Sequence, residues 1–193
     1  AEADIKKLYE KLDTLSDGDI LVLAGSIPDV MPGSMYMDIM RHLQNKDLKI
    51  VVDATKDLLV NVLQYHPFLI KPNNHELGEI FGVKIESKAG VITYAKKMQE
   101  KGARNVLVSM AGDGAVLVAE DGSIFQSEAP KGKVVNSVGA GDSMVAGFVA
   151  GWIEKQDYEH AFRMGISAGS ASAFSELLAT EAEIRQVYAS IEA

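Results

Sequence analysis

The sequence contains no cysteine, which excludes disulfides, thiolate metal sites and cysteine nucleophiles together. It also has no apolar run long enough to cross a bilayer, and it begins with an amphipathic segment rather than a signal peptide. Basic residues are in the minority, with 19 Lys and Arg against 27 Asp and Glu and a formal charge of −8. We therefore expect a cytoplasmic protein that binds neither membranes nor nucleic acid, although a local site could still attract an anionic substrate.

Two nucleotide-binding motifs are also absent. No Gly-x4-Gly-Lys-Ser/Thr segment occurs, which excludes a P-loop NTPase. The tight turn at Gly139 to Gly141 lacks the third glycine of the dinucleotide fingerprint, which argues against a dinucleotide oxidoreductase. The four histidines have no metal-ligand spacing, and we expect all of them on the exposed surface: His42, His66, His75 and His160.

The chain does have abundant apolar residues, 47%, and 17 glycines, as expected of one α/β domain over residues 1–193. The patterning predicts strands at 20–24, 49–53, 68–70 and 105–109, helices at 3–15, 36–43, 56–64, 74–81 and 88–101, and a hairpin at 115–119 and 123–127. Strands that alternate with helices indicate a mostly parallel sheet covered on both faces, with the hairpin as an antiparallel edge. The continuous apolar run at 20–24 is typical of a strand buried on both faces.

Polar loops follow four successive strands. They are Gly25-Ser26, Asp53, Asn73 to Glu76, and Ser109 to Gly114. Because ligands in such sheets bind beyond the carboxyl ends of the strands, we expect these loops to converge on one ligand site.

The stretch from Val135 to Phe148 predicts a short strand, a tight glycine turn and then an apolar helix. Gly139, Ala140 and Gly141 would leave backbone N–H groups bare at the positive end of that helix, which suits an anion. The negative charge of Asp142 would repel a phosphate bound there, so its presence is best explained if the carboxylate accepts a proton. The alternative is that Asp142 only caps the helix and that the glycines only allow close packing.

Two further loops each have two interpretations. Asn73 and Glu76 have the spacing of a capping box, and they could equally hold a hydrated magnesium ion or phosphate oxygens; the two are compatible. Ser109, Gly112 and Gly114 could form a plain turn into the hairpin or line a nucleotide site.

Taken together, these residues resemble the PfkB, or ribokinase-like, family of carbohydrate kinases. Asn136-Ser137-Val138-Gly139-Ala140-Gly141-Asp142 is similar to the family signature Asp-Thr-x-Gly-Ala-Gly-Asp. Leu23 to Pro28 is similar to its Gly-Ser-Leu-Pro segment, and Lys71 to Leu77 contains its Asn-x-x-Glu motif. The resemblance implies a three-layer Rossmann-type sandwich and the transfer of phosphate from ATP, with Mg2+, to a sugar phosphate.

The resemblance also implies a role for each candidate residue. Asp142 would be the catalytic base, and the N–H groups of Gly139, Ala140 and Gly141 the anion hole. Glu76 would serve the metal through water, and the nucleotide would lie against Asn73, Ser109, Gly112, Gly114 and Ser170. The residues of these motifs are most similar to those of members that phosphorylate fructose 1-phosphate, and tagatose 6-phosphate is the alternative substrate. The resemblance also allows a homodimer of the full-length protein.

The chain departs from the family pattern in three places. Asn136 replaces the usual acid, and Ala111 stands where a glycine is common. The family's N-terminal strands, sugar-binding residues and lid have no counterpart here, so we expect a C-terminal portion that is inactive by itself. A nucleotide-binding module without catalysis is the competing hypothesis.

Overall fold

The computed structural model describes residues 2–28 and 31–191. Six strands form one sheet in the order β1 to β6: β1 (Ile20–Ala24), β2 (Lys49–Asp53), β3 (Leu69–Ile70), β4 (Asn105–Ser109), β5 (Ala115–Val118) and β6 (Ile124–Ser127). The first four strands are parallel, and β5 and β6 each run antiparallel to the preceding neighbour. The predicted parallel sheet with an antiparallel edge is confirmed.

Helices cover both faces of the sheet. They are α1 (Glu2–Asp13), α2 (Met35–Leu43), α3 (Lys56–Val60), α4 (Asn74–Phe81), α5 (Lys88–Glu100), α6 (Ala140–Lys155), α7 (Tyr158–Phe174) and α8 (Glu181–Ser190). No helix in the described part of the chain combines the length and the apolar character needed to span a membrane.

The two faces of the sheet bury different side chains because successive strand residues point in opposite directions. In β4, Val106 and Val108 pack with α2, α4 and α5, whereas Leu107 packs with α6 and α7. Both sets are fully buried, which explains why the central strands are apolar throughout. The expected three-layer α/β/α sandwich is therefore present.

Strand β1 differs from its prediction. It lies at the edge of the sheet, and Val22 is 44% exposed although Leu23 is buried. An apolar run of five residues gives no information about which neighbours cover it, so the prediction of burial on both faces was wrong.

Three other predictions also change. The predicted helix at 56–64 splits into α3 and a 3-10 turn at Leu63–Tyr65. The short strand before the glycine turn does not form, because the backbone N–H groups of Val135 and Asn136 donate to the carbonyl of Ala173 at the end of α7. His160 is buried rather than exposed.

Candidate functional site

The glycine turn and the start of α6 have the geometry that the sequence predicts. Gly139 is the N-cap residue, with a φ of +78°, which lies in the left-handed region that favours glycine. Asn136 supports the turn, since its Oδ1 accepts a hydrogen bond from the N–H of Val138 at 3.0 Å. The departure from the acidic residue at this position therefore keeps a side-chain oxygen for the turn.

Asp142 is the third residue of α6 and is exposed. Among the described residues its carboxylate accepts no capping hydrogen bond, so no contact supports the interpretation that it only caps the helix. The N–H group of Ala140 donates to the carbonyl of Ser137 at 3.2 Å. The next N–H groups of α6 lack partners within the helix, and they lie where the helix dipole is positive.

A cavity of about 950 Å³, with both polar and apolar lining residues, opens beside the start of α6. Its walls come from the loops after β3 and β4, the segment before α6, and one side of α6 and α7. They include most of the predicted site residues: Asn73, Ser109, Gly112, Gly114, Ala140, Gly141 and Ser170. Glu76 and Gly139 are not among its lining residues. The size is that of a pocket for an organic ligand.

The loop after β4 is held in place by backbone contacts. Ser109 continues the sheet through a parallel bridge to Asn73. Ala111 has a φ of +48°, a left-handed conformation that suits glycine better. Gly114 admits no side chain, because a Cβ there would lie 1.9 Å from the carbonyl oxygen of Ser127.

The loop after β3 forms the predicted capping box. Asn73 Oδ1 accepts a hydrogen bond from the N–H of Glu76, and Glu76 Oε2 accepts one from the N–H of Asn73, both at 2.8 Å. The box uses one carboxylate oxygen of Glu76, and the second oxygen remains for water or a hydrated ion. The capping interpretation is confirmed, and it is compatible with a role in ligand binding.

Close packing of α6 and α7 brings Ser170 into the cavity wall. A Cβ on Gly147 would lie 2.5 Å from the carbonyl oxygen of Met164, and one on Gly169 would lie 3.0 Å from that of Ala140. The two helix backbones can approach this closely only because these positions lack side chains.

An apolar groove of about 430 Å³ lies on the other side of α6, against β1. Its lining residues are Val22, Ala24, Asp53, Asp142, Val145, Ala146, Val149, Ala150 and Ile153. Only Asp53 and Asp142 in this list are polar. Three of the four predicted loops reach these two sites: the loops after β3 and β4 line the cavity, and Asp53 after β2 lines the groove. The fourth, Gly25-Ser26, is among the lining residues of neither, so the predicted convergence of all four loops on one site was wrong.

A buried ion pair lies beneath this junction. Lys71 Nζ is 3.3 Å from Asp53 Oδ1, and the two side chains are 8% and 18% exposed. Burial raises the pKa of the Asp53 carboxyl; the neighbouring Lys71 lowers it, and the charges of Asp142 and Glu76 raise it further. No role for this pair was predicted from the sequence, although a lysine directly after the fully buried β3 was a usable signal.

Comparisons with known proteins agree on one family. The model of the pfkB family carbohydrate kinase matches residues 1–185. The 1-phosphofructokinase of Bacillus subtilis is 46% identical over 97% of this chain and 61% of its own length. The D-tagatose-1-phosphate kinase of Bacillus licheniformis is 34% identical over 100% of this chain and 63% of its own.

Solved structures give the same result. A crystal structure of a candidate phosphofructokinase from Staphylococcus aureus superimposes with a TM-score of 0.94 at 38% identity, and covers 100% of this chain and 62% of that one. The chain thus spans about three fifths of the length of these relatives. With the family signature at the start of α6 and the family fold around it, the chain belongs to the pfkB family of carbohydrate kinases.

Proposed function

We propose that this chain carries the nucleotide site and catalytic base of a kinase that phosphorylates a ketose phosphate. The observation that carries the proposal is the position of Asp142. Asp142 lines the groove on one side of α6, while Gly141 and Ala140, one and two residues earlier, line the nucleotide-sized cavity on the other. A phosphoryl donor in the cavity and an acceptor hydroxyl beside Asp142 would then meet at the first turn of α6.

In the proposed reaction, Asp142 accepts the proton of a sugar hydroxyl as that oxygen attacks the γ-phosphorus of ATP. The bond from the γ-phosphorus to the bridging oxygen of ADP breaks, and ADP leaves with that electron pair. The N–H groups of Gly139, Ala140 and Gly141 hold the negative charge on the transferred group. Positioning and electrostatic stabilisation of this kind account for most of the catalysis in phosphoryl transfer.

The proposed nucleotide contacts are the predicted ones, namely Asn73, Ser109, Gly112, Gly114 and Ser170, all in the cavity wall. In the described ranges, no group of three or more His, Asp and Glu could enclose a metal ion. This fits Mg2+, which commonly keeps several waters and binds through one or two carboxylates and the substrate phosphates. The free oxygen of Glu76 would hold such a hydrated ion, which would neutralise phosphate charge.

The favoured substrate is fructose 1-phosphate, which would give fructose 1,6-bisphosphate. The most similar relatives described above are named for fructose 1-phosphate and tagatose 1-phosphate. Tagatose 1-phosphate is therefore tested beside the tagatose 6-phosphate of the sequence prediction. We also propose that residues 1–193 form one domain, because a single sheet runs through them; a homodimer of the full-length protein remains a prediction.

The test is the Asp142→Asn variant of the full-length gene product. We expect kcat with fructose 1-phosphate to fall at least about 1,000-fold, since a general base contributes roughly 100- to 10,000-fold. The dissociation constant for ATP should stay within about twofold, because the cavity is unchanged. A coupled assay and calorimetry provide the two readouts, and near-normal turnover would overturn the assignment of the base. Nucleotide binding without turnover on any of the three sugars would favour the non-catalytic module.

A further inference from the structure

The cavity proposed for ATP lacks basic side chains of its own. Among its described lining residues there is no Lys or Arg, and its charged members are Glu86 and Asp113, with His75 as the only titratable base. The groove likewise has no Lys or Arg among its described lining residues and adds Asp53 and Asp142. A triphosphate would therefore meet a wall whose side chains are negative or neutral. The partial positive charge at the start of α6 is the first compensation.

The second compensation lies just behind this wall. The Nζ atom of Lys71 is 3.3 Å from the position that a Cβ on Gly141 would occupy. Gly141 lines the cavity and precedes Asp142, which lines the groove. The ammonium group therefore lies beneath the point where the cavity and the groove meet, and the absence of a side chain at Gly141 leaves room for it.

The position of Lys71 is costly for folding alone. Its side chain is 92% buried, and a buried charge needs a partner. It also lies close to the positive end of a helix, where a cation is disfavoured. Asp53, at the end of the neighbouring strand β2, compensates by forming an ion pair with Lys71 at 3.3 Å. A well-packed apolar pair would satisfy the fold at least as well.

We propose that Lys71, positioned by Asp53, supplies the fixed positive charge that stabilises the phosphoryl group during transfer between the cavity and the groove. This inference rests on the proposed function. In it, Lys71 acts through the first turn of α6 by adding a full charge to the partial charge of the N–H groups. Asp53 holds the ammonium group in place, so the two residues act as one unit.

The test uses the full-length gene product with Lys71→Met, which keeps the length of the side chain and removes its charge. We expect kcat to fall about 100-fold, the effect of losing one stabilising group of an anion hole, while KM for the sugar phosphate changes less than about threefold. Binding gives an independent readout. The affinity for ADP with aluminium fluoride, a mimic of the transferred phosphoryl group, should weaken at least tenfold, and that for ADP alone less than about twofold.

The single variant leaves Asp53 buried without its partner, which could prevent folding. The double variant Lys71→Met with Asp53→Asn removes both charges, and it should fold and show the same loss of kcat and of aluminium fluoride binding. Lys46→Met is the matched control. Lys46 is also a partly buried lysine, and it donates to the carbonyls of Asp13 and Leu15. It precedes β2 and therefore lies at the amino ends of the parallel strands, whereas Lys71 lies at their carboxyl ends. Its kcat should stay within about twofold of the parent value.

A folded Lys71 variant, single or double, with kcat within threefold of the parent would overturn the inference. So would an equal weakening of ADP and of ADP with aluminium fluoride, because that result indicates a structural role. The Asp142→Asn variant separates this failure from that of the proposed function. If Asp142→Asn is inactive while the Lys71 variants are normal, only the inference fails; if Asp142→Asn is active, the base assignment fails independently.

Discussion

The cavity and the groove on the two sides of α6 differ in how much of each the chain itself completes. The cavity has walls from the loops after β3 and β4, from the segment before α6 and from α7, and these walls combine polar and apolar residues. The groove is apolar apart from two carboxylates, and it is bordered by β1, whose Val22 is 44% exposed at the edge of the sheet. One side of α6 therefore has the cavity proposed for the nucleotide, and the other side has the proposed base but few polar groups among its described lining residues that could recognise a sugar.

This difference predicts the behaviour of the 193-residue chain by itself. We expect it to bind ATP within about tenfold of the full-length affinity, because all the proposed nucleotide contacts lie in the cavity wall of this chain. Turnover should be at least about 1,000-fold lower, since nothing in the groove orients a sugar or excludes water. Calorimetry and a coupled assay on both proteins measure the two quantities. Ordinary kinase rates from the isolated chain would show that the groove is sufficient.

A bulky side chain should affect the two sides of α6 unequally. Ser170→Phe fills part of the cavity, and we expect ATP affinity to fall on the order of 10- to 100-fold, as for other overpacked sites. Ala150→Phe adds the same volume or more on the groove side and is the matched control, with ATP affinity expected within about twofold. Titration of the isolated chain with ATP compares the two variants. Equal losses would show that the cavity and the groove are not independent.

The smallest effect is expected for Glu76→Gln, a variant that tests whether the capping box of α4 contributes to folding, to ligand binding or to both. Glu76→Gln keeps an acceptor for the N–H of Asn73, so the free energy of unfolding should change by less than about 0.5 kcal/mol. The Mg2+ concentration for half-maximal activity should rise about tenfold, the lower range for losing an outer-shell partner of a metal.

Helix α8 provides the control for that experiment. Thr180 and Glu183 form a second capping box at its start, away from the cavity lining. Glu183→Gln should leave the Mg2+ dependence unchanged, and thermal unfolding checks both variants. If the two Glu→Gln variants have the same Mg2+ dependence, the box at Asn73 and Glu76 serves only to end the helix.

Local sequence determined the elements and the turn that begins α6. The patterning of apolar residues and turns placed all six observed strands within one residue at each end. The central strands were readable because strands buried on both faces are largely apolar, and the hairpin was readable from its turn. The cap at Asn73 and the tight turn at Gly139 could also be predicted from the sequence, since each depends on residues within a few positions along the chain. The roles of the site residues remain predictions.

Only the tertiary structure decided how distant residues combine. The prediction that β1 is buried on both faces was wrong, because burial depends on neighbouring elements that five apolar residues do not specify. The pairing of Lys71 with Asp53 joins the ends of adjacent strands, and its place under Gly141 depends on how α6 packs on the sheet. The sequence alone predicted the tight glycine turn at the start of α6, and the anion site there remains a prediction. The separation of the cavity from the apolar groove on the two sides of α6 follows from packing, because side chains from different elements meet there only after the sheet has formed.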